Sequence, residues 1–351
     1  PKLLTSDQIK SYFLKNNKVK YINENLIDEI KKDKIGFSNP FFSLNKNITG
    51  ESMDSKINRI SKYLRKNKVD YIFISAPENV AWLLNIRGKD NPNSPIPNAR
   101  LIIDKQKNIY FFCNLKKIKN IKNKIIYNKI KYYSYRNFYD VLFKLKYSSF
   151  TIDKLTCSIF YQSLIQSKFN INYFEDPIYY LKSIKNEVEI NNMKLAHIKD
   201  GAALTKFLYW IKQEKNFGFD ELFLEKKLES FRKKNKDYIY PSFNTIAGSG
   251  PNSAIIHYKA TPATNRIIDK RNIFLCDSGG QYKYGTTDVT RTICFTKQPK
   301  SIRKFFTLVL KGHIAVVTSN LKPSIRGKDL DYRARYFLKK VKANYAHGTG
   351  H

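Results

Sequence analysis

Between Cys276 and Thr292 the chain reads Cys-Asp-Ser-Gly-Gly-Gln-Tyr-Lys-Tyr-Gly-Thr-Thr-Asp-Val-Thr-Arg-Thr, which sets two aspartates, Asp277 and Asp288, eleven residues apart across a glycine-containing middle. The flanks Asn272–Cys276 and Val289–Phe295 are rich in β-branched and aromatic residues and predict the two strands of a hairpin. Folded back about Tyr282-Lys283, these strands would make the carboxylates cross-strand neighbours with Cβ atoms roughly 5 Å apart. Bare carboxylates that close repel each other. Hard cations take carboxylate oxygens, and a paired-metal site needs acids able to hold two ions about 3.5–4 Å apart. A metal pair would therefore explain the arrangement. On the hairpin residues alone, an ordinary turn aspartate and a solvated one explain it equally well.

Five histidines occur, and three stand where chemistry is conceivable. His257 ends the strand-like run Ala254-Ile-Ile, a position more often taken by a core or edge histidine than by a functional one. His347 and His351 close the chain as His-Gly-Thr-Gly-His. Gly348 and Gly350 oppose a helix and no glutamate lies between the histidines, which excludes the helical zinc-protease motif of similar spacing. His197 and His313 fall in helical patterns and read as structural.

The elements that must position these residues occupy 351 residues, more than one ordinary core, so two or more domains are expected. Hydrophobic residues make up 42% of the chain, and no apolar run approaches the roughly 18 residues of a membrane span. Four cysteines without CxxC spacing fit a reducing cytoplasm better than a disulfide framework or a zinc ribbon. The first residues lack both an initiator Met and a signal-peptide core, an expectation that the start lies upstream. The formal charge is +35, from 64 Lys plus Arg against 29 Asp plus Glu. The Lys- and Tyr-interleaved stretch 115–133 has the composition of a phosphate-tracking surface. Basic residues are nevertheless spread through every region, together with Asn, Ile, Tyr and Phe, so compositional drift is favoured and no specific nucleic-acid partner is expected.

Residues 1–47 carry two short helical patterns, around Ser6–Lys15 and Asn25–Lys32, too little for a domain. Residues 48–176 read as an α/β domain. Ile57, Ile60 and Leu64 share one helical face, strands follow at 69–75, 100–104, 108–113 and 149–153, and Pro77 opens a helix. Residues 177–351 form a third region, in which Asn186 and Glu189 resemble a capping box ahead of a long helix and a second helix starts near Asp220. Strand-like pieces follow at 243–247, 254–258, 272–277 and 288–295, then two more helices from about Ser301 and Gly327.

From Pro241 onward these segments together resemble the pita-bread metallopeptidases, and among them the Xaa-Pro aminopeptidases. The resemblance rests on Ser242–Tyr258 with its histidine, on Asp277-Ser-Gly-Gly-Gln-Tyr and Gly285-Thr-Thr-Asp-Val-Thr-Arg, and on Gly327-Lys-Asp-Leu-Asp with Ala334-Arg335 ahead of His-Gly-Thr-Gly-His. Upstream, Gly50-Glu-Ser and Ala81-Trp-Leu-Leu-Asn-Ile-Arg-Gly are similar to the middle domain of the long, three-domain members. The fold implied is α/β (α+β): 1–47 as the tail of a first domain, 48–176 as a creatinase/prolidase-type N-terminal α/β domain, and 177–351 as a pita-bread catalytic domain that continues past residue 351. The resemblance implies that Asp277, Asp288 and His351 ligate two divalent ions, usually manganese, with two further glutamate ligands beyond residue 351. It also implies that His257 and His347 contact the substrate. The implied activity is removal of the N-terminal residue from peptides with proline second, by a hydroxide activated between the two ions, in a cytoplasmic and commonly dimeric enzyme.

Two departures stand out. Tyr284 replaces the aspartate that the family usually has before Gly-Thr-Thr, and the final glutamates lie outside the chain, which therefore reads as an internal piece of a longer enzyme. A prolidase-like dipeptidase is the near alternative. The alternative of another class is a non-catalytic pita-bread protein whose basic surface binds nucleic acid or the ribosome; retention of Asp277, Asp288 and His351 counts against it.

Overall fold

The structure, a computed structural model, describes residues 3–13, 20, 22, 39–122, 125, 127–146, 149–214 and 218–350. The chain divides into two compact units. The first comprises Pro1–Gly201, Asn235–Phe243 and Gly280–Thr287, and the second Ala202–Lys234, Asn244–Gly279 and Asp288–His351.

From β1 (Phe42–Ser43) the first unit runs through β2 (Tyr71–Ile74), β3 (Ile86–Arg87), β4 (Arg100–Asp104), β5 (Ile109–Phe112), β6 (Ile130–Tyr133), β7 (Ser149–Ile152) and β8 (Asn170–Tyr173). Six of these build one mixed sheet in the order β6-β5-β4-β2-β7-β8. Strand alternation divides its side chains between two cores. Ile72, Ile74, Leu101 and Ile103 meet Ile57, Ile60 and Leu64 of the helix Met53–Lys66 on one face, and Tyr71, Phe73, Ile102 and Phe150 meet Phe138 and Leu142 on the other. The expected helical face is thus the buried one. Ser52 caps that helix by accepting from the Ser55 N–H at 3.2 Å.

The two strands of this six-stranded sheet that escaped the sequence, β6 and β8, are its edges. Edge strands carry polar and charged residues and so lack a long apolar run. The lysine- and tyrosine-rich stretch is accordingly part of the fold: Ile130–Tyr133 pairs with β5, and Lys117 forms a buried ion pair with Asp90. The helical pattern around Asn25–Lys32 lies outside the described residues.

Asp176 ties this unit together. It accepts from the Ile178 N–H (2.9 Å) at the start of the helix Pro177–Ser183 and from Asn79 Nδ2 (2.7 Å), and its own N–H donates to Asp153 Oδ2 (3.0 Å). Burial pushes its carboxyl up to about 6, with these hydrogen bonds to its oxygens opposing the shift. A raised carboxyl holds its proton more tightly in the folded state, so ionisation costs stability at neutral pH, and the cost vanishes as pH falls below the unfolded value of about 4. Relative to Asp176→Asn, the wild-type protein is expected to gain up to about 3 kcal/mol in urea unfolding between pH 7 and pH 4. A pH-independent difference would sink this assignment.

Further along come β9 (Tyr238–Pro241), β10 (Ile246–Ser249), β11 (Ile273–Ser278), β12 (Gly280–Tyr282), β13 (Gly285–Thr286) and β14 (Val289–Cys294). In the first unit β12 pairs with β9 and β13; in the second, β11 pairs with β10 and β14, all antiparallel. The expected capping box is present, with Asn186 and Glu189 exchanging hydrogen bonds at 2.9 and 3.0 Å. In the second unit, Ala247, Phe274, Cys276 and Ile293 bury one face of the three-stranded sheet under Leu204, Phe207, Leu224 and Leu228. The helices Lys300–Val317 and Gly327–Lys339 approach so closely at Gly312 that a Cβ there would meet the Ala334 carbonyl oxygen at 2.2 Å. Only glycine fits that crossing.

Candidate metal centre

Asp277 stands opposite Thr290 across β11 and β14, and Asp288 lies two residues before Thr290. The hairpin reverses at Lys283-Tyr284, because Tyr282 pairs with Gly285, one residue later than the Tyr282-Lys283 reversal expected from the sequence. A turn displaced by one residue slides the pairing by two. Asp277 is therefore opposite Thr290 rather than Asp288. Asp288 itself stands just before β14 and outside the paired residues; continued by one residue, the register would put it on the Asp277 side of the sheet.

Burial alternation decides which side that is. Phe274, Cys276 and Ser278 are buried toward the helices, and Ile273, Leu275 and Asp277 occupy the other face. The helix-facing residues are inert. Burial pushes the Cys276 thiol up to about 12, far from a reactive thiolate. Ser278 accepts from the buried Arg232 Nη2 at 3.0 Å, which holds the strand next to Asp277. On the opposite face, Asp277 Oδ1 is buried and has no hydrogen-bond partner among the described residues, whereas Asp288 is exposed. A buried carboxylate oxygen without a donor is costly unless a cation supplies the missing charge. The donor set of two carboxylates, one with an orphaned oxygen, fits a hard divalent ion.

His257 is not on a strand. The expected strand at 254–258 is instead the 3-10 turn Gly250–Ala254 followed by a tight turn, with Pro251 in its first turn and Gly250 at φ +55°. His257 itself is exposed and adopts φ +54°, a strained conformation for a non-glycine residue. Glu221 clamps this loop. Its fully buried carboxylate accepts from Ser249 N (2.7 Å), Asn252 Nδ2 (3.1 Å), Tyr258 Oη (2.6 Å) and Arg266 N (3.2 Å). Burial and the Glu221 bond both raise the Tyr258 hydroxyl's pKa. Nothing in the sequence marks Glu221 for this role, since an acid in a first helical turn is ordinary.

His347 is held by a second network. Arg335 donates to Asp331 (2.9 Å), to Asn344 Oδ1 (2.7 Å), to the Tyr345 carbonyl (2.8 Å) and to the His347 carbonyl (2.6 Å), and its guanidinium lies 3.9 Å from the Tyr345 ring centre. Thr349 donates to Asp331, whose carboxyl is held below its ordinary value by that bond first and by Arg335 next. His347 is exposed, with Nδ1 donating to the Gly348 carbonyl at 2.7 Å. His351 lies outside the described residues. Among the described residues no group of three or more His, Cys, Asp or Glu side chains gathers around one point.

Comparison with known proteins matches residues 35–189 to the creatinase/prolidase N-terminal domain and residues 191–351 to metallopeptidase family M24. A Neurospora crassa protein named probable Xaa-Pro aminopeptidase P is 35% identical over 348 residues, covering 95% of this chain and 51% of that protein. A Leptosphaeria maculans protein of the same name is 32% identical, covering 99% of this chain and 59% of that one. The chain thus spans about half the length of the curated relatives it matches. Among solved structures, the X-prolyl aminopeptidase from Caenorhabditis elegans, a cytosolic enzyme with a di-nuclear active site, superimposes with a TM-score of 0.82 at 29% identity, covering 91% of this chain and 54% of that one. The prolidase from Pyrococcus horikoshii gives a TM-score of 0.65 at 23% identity, covering 82% of this chain and 78% of that one, a likeness of fold alone. The chain thus carries, in the expected order, a creatinase/prolidase-type N-terminal domain and a domain of metallopeptidase family M24, and along nearly its whole length it is similar to proteins named Xaa-Pro aminopeptidase P.

Proposed function

We propose that this chain contributes the substrate-facing part of a metal-dependent aminopeptidase that releases the N-terminal residue from peptides with proline in second position. The observation that carries the proposal is the orphaned, buried Asp277 Oδ1, on a strand paired with the one that Asp288 immediately precedes. The names of the similar proteins support the same reaction. Asp277, Asp288 and His351 would hold a pair of divalent ions, manganese by preference for carboxylate and imidazole ligands. When bound, the ions supply Lewis acidity at the scissile carbonyl and activate the attacking water.

The chain's own residues do the rest. Asp277 offers an oxygen with no competing donor, so ion binding breaks no protein hydrogen bond there. His257, presented outward from a clamped turn, would donate to the peptide oxygen as charge develops, and His347 would contact the proline side. The cytoplasm and a homodimeric state complete the proposal; among the described residues no helix is long and apolar enough to cross a membrane.

Manganese titration alongside cleavage of an Xaa-Pro-Xaa tripeptide and an Xaa-Pro dipeptide tests it. We expect metal-dependent release of the first residue, faster from the tripeptide, with kcat reduced about 100-fold or more in His257→Ala. Preference for the dipeptide would favour a prolidase-like activity. Tight nucleic-acid binding at physiological salt without metal-dependent hydrolysis would favour the binding protein.

A further inference from the structure

We propose that the first unit contains a second, separate binding site, for a carboxylate carried on an apolar or aromatic group, built around Lys56 and Arg87. The two residues line a cavity of about 630 Å³ whose other walls include Leu44, Ile48, Trp82, Pro95, Ile96 and Tyr179. The inference does not depend on the peptidase reading.

Lys56 is 1% exposed, yet no carboxylate lies within ion-pair distance of it among the described residues. Its ammonium donates to the Trp82 carbonyl (2.9 Å) and to Asn85 Oδ1 (2.7 Å) and sits 4.0 Å from the Trp82 ring centre. Arg87 is in a similar state. Among the described residues only its Nη1 is engaged, by the carbonyls of Ala81 (3.1 Å) and Ile86 (2.9 Å), which leaves the rest of its planar fork for a ligand. Burial lowers the pKa of Lys56 to about 8 and that of Arg87 to about 10, with Glu189 opposing both shifts. Glu51 also opposes the Lys56 shift, and Arg87 and Arg59 add to it.

Glu189 is already committed. Its two oxygens accept from Trp82 Nε1 (3.3 Å) and from the Asn186 N–H (3.0 Å) that begins its own helix. Lys182, Lys185 and Lys283 line the same cavity against one further acid, Glu78, which accepts from the Tyr179 hydroxyl at 2.8 Å. Lys283 is paired with Asp237 (3.2 Å) and Lys182 donates to Asn79 Oδ1 (2.6 Å), which leaves Lys56 and Arg87 as the cations whose burial no carboxylate at ion-pair distance offsets among the described residues, and such burial costs several kcal/mol. An anion would offset that cost. A planar guanidinium fork favours a carboxylate, and the apolar walls favour an uncharged tail over a bare inorganic ion.

Isothermal titration of the whole protein with 3-phenylpropanoate, 3-phenylpropanamide and inorganic phosphate distinguishes the possibilities. We expect the carboxylate to bind at least about tenfold more tightly than the amide and than phosphate. Arg87→Gln, which keeps a donor for the Ala81 carbonyl, is expected to weaken carboxylate binding at least about tenfold without changing the circular dichroism spectrum. Absence of phenylpropanoate binding, equal binding of the amide, tighter binding of phosphate, or an unaffected Arg87→Gln protein would each overturn the proposal.

Discussion

Asp277→Ala is expected to change stability in opposite directions depending on metal. Without metal, the wild-type protein holds a carboxylate whose Oδ1 is buried and unpartnered among the described residues, with Asp288 just before the adjacent strand. Removing it eliminates the desolvation cost of that oxygen and the repulsion between the two acids, so the metal-free variant should be more stable by about 1–2 kcal/mol. With manganese the order reverses. A ligand that binds only the folded state at a hundred times its Kd adds about 2.7 kcal/mol, and the variant should lose this because its affinity falls by more than about a hundredfold. Thermal unfolding of both proteins with and without manganese, together with equilibrium dialysis, reads out the reversal. A variant less stable in both conditions would mean that Asp277 is a structural residue and that the orphaned oxygen has another explanation.

The second large effect is expected at Glu221. Glu221→Ala would leave the Ser249 and Arg266 N–H groups, the Asn252 amide and the Tyr258 hydroxyl without their shared buried acceptor. Asn252 and Tyr258 keep the Thr264 carbonyl at 3.1 Å, so the two backbone N–H groups are the ones orphaned, and at about 1–3 kcal/mol each a loss of at least about 2 kcal/mol is expected in urea unfolding. Glu221→Gln keeps one acceptor oxygen and should fold while loosening the loop. Amide exchange in residues 249–266 should then accelerate in advance of the rest of the second unit. Because His257 sits on this loop at φ +54°, Glu221→Gln should also lower kcat for Xaa-Pro peptides by about 10- to 100-fold. In a His257→Ala background that further loss should disappear, since the clamp would have nothing left to position. Additive losses would show that Glu221 serves stability alone.

Much of the scaffold was legible because it rests on local rules. Ile57, Ile60 and Leu64 fell on one helical face and are buried together. The reciprocal bonds of Asn186 and Glu189 are those their spacing called for. The strand reading failed at Ala254–Tyr258, where an apolar run of the right length is a turn. Apolar character alone does not distinguish a strand from a short segment packed under a loop, and Gly250 and Pro251 were the local signs of the turn. The edge strands Ile130–Tyr133 and Asn170–Tyr173 were missed for the converse reason, since their exposed positions carry polar residues.

The candidate centre divides along the same line. Sequence by itself determined which residue types were available, their order, and that Asp277 lies opposite in strand phase to Phe274 and Cys276, because a period of two is a property of the backbone. It also led to the expectation that Asp277 and Asp288 share a face, since any hairpin register differing by an even number preserves that parity. Tertiary structure decided the quantities that depend on partners far along the chain. The packing of Phe274 and Cys276 against Leu204, Phe207, Leu224 and Leu228 chose the face left for the acids. The reversal at Lys283-Tyr284 set Asp277 opposite Thr290 instead of Asp288. Glu221, separated from His257 by 36 residues, holds the turn on which that histidine stands. Such a clamp leaves no local trace, because a buried carboxylate is stable only where several distant donors converge on it, and that convergence exists only in the folded chain.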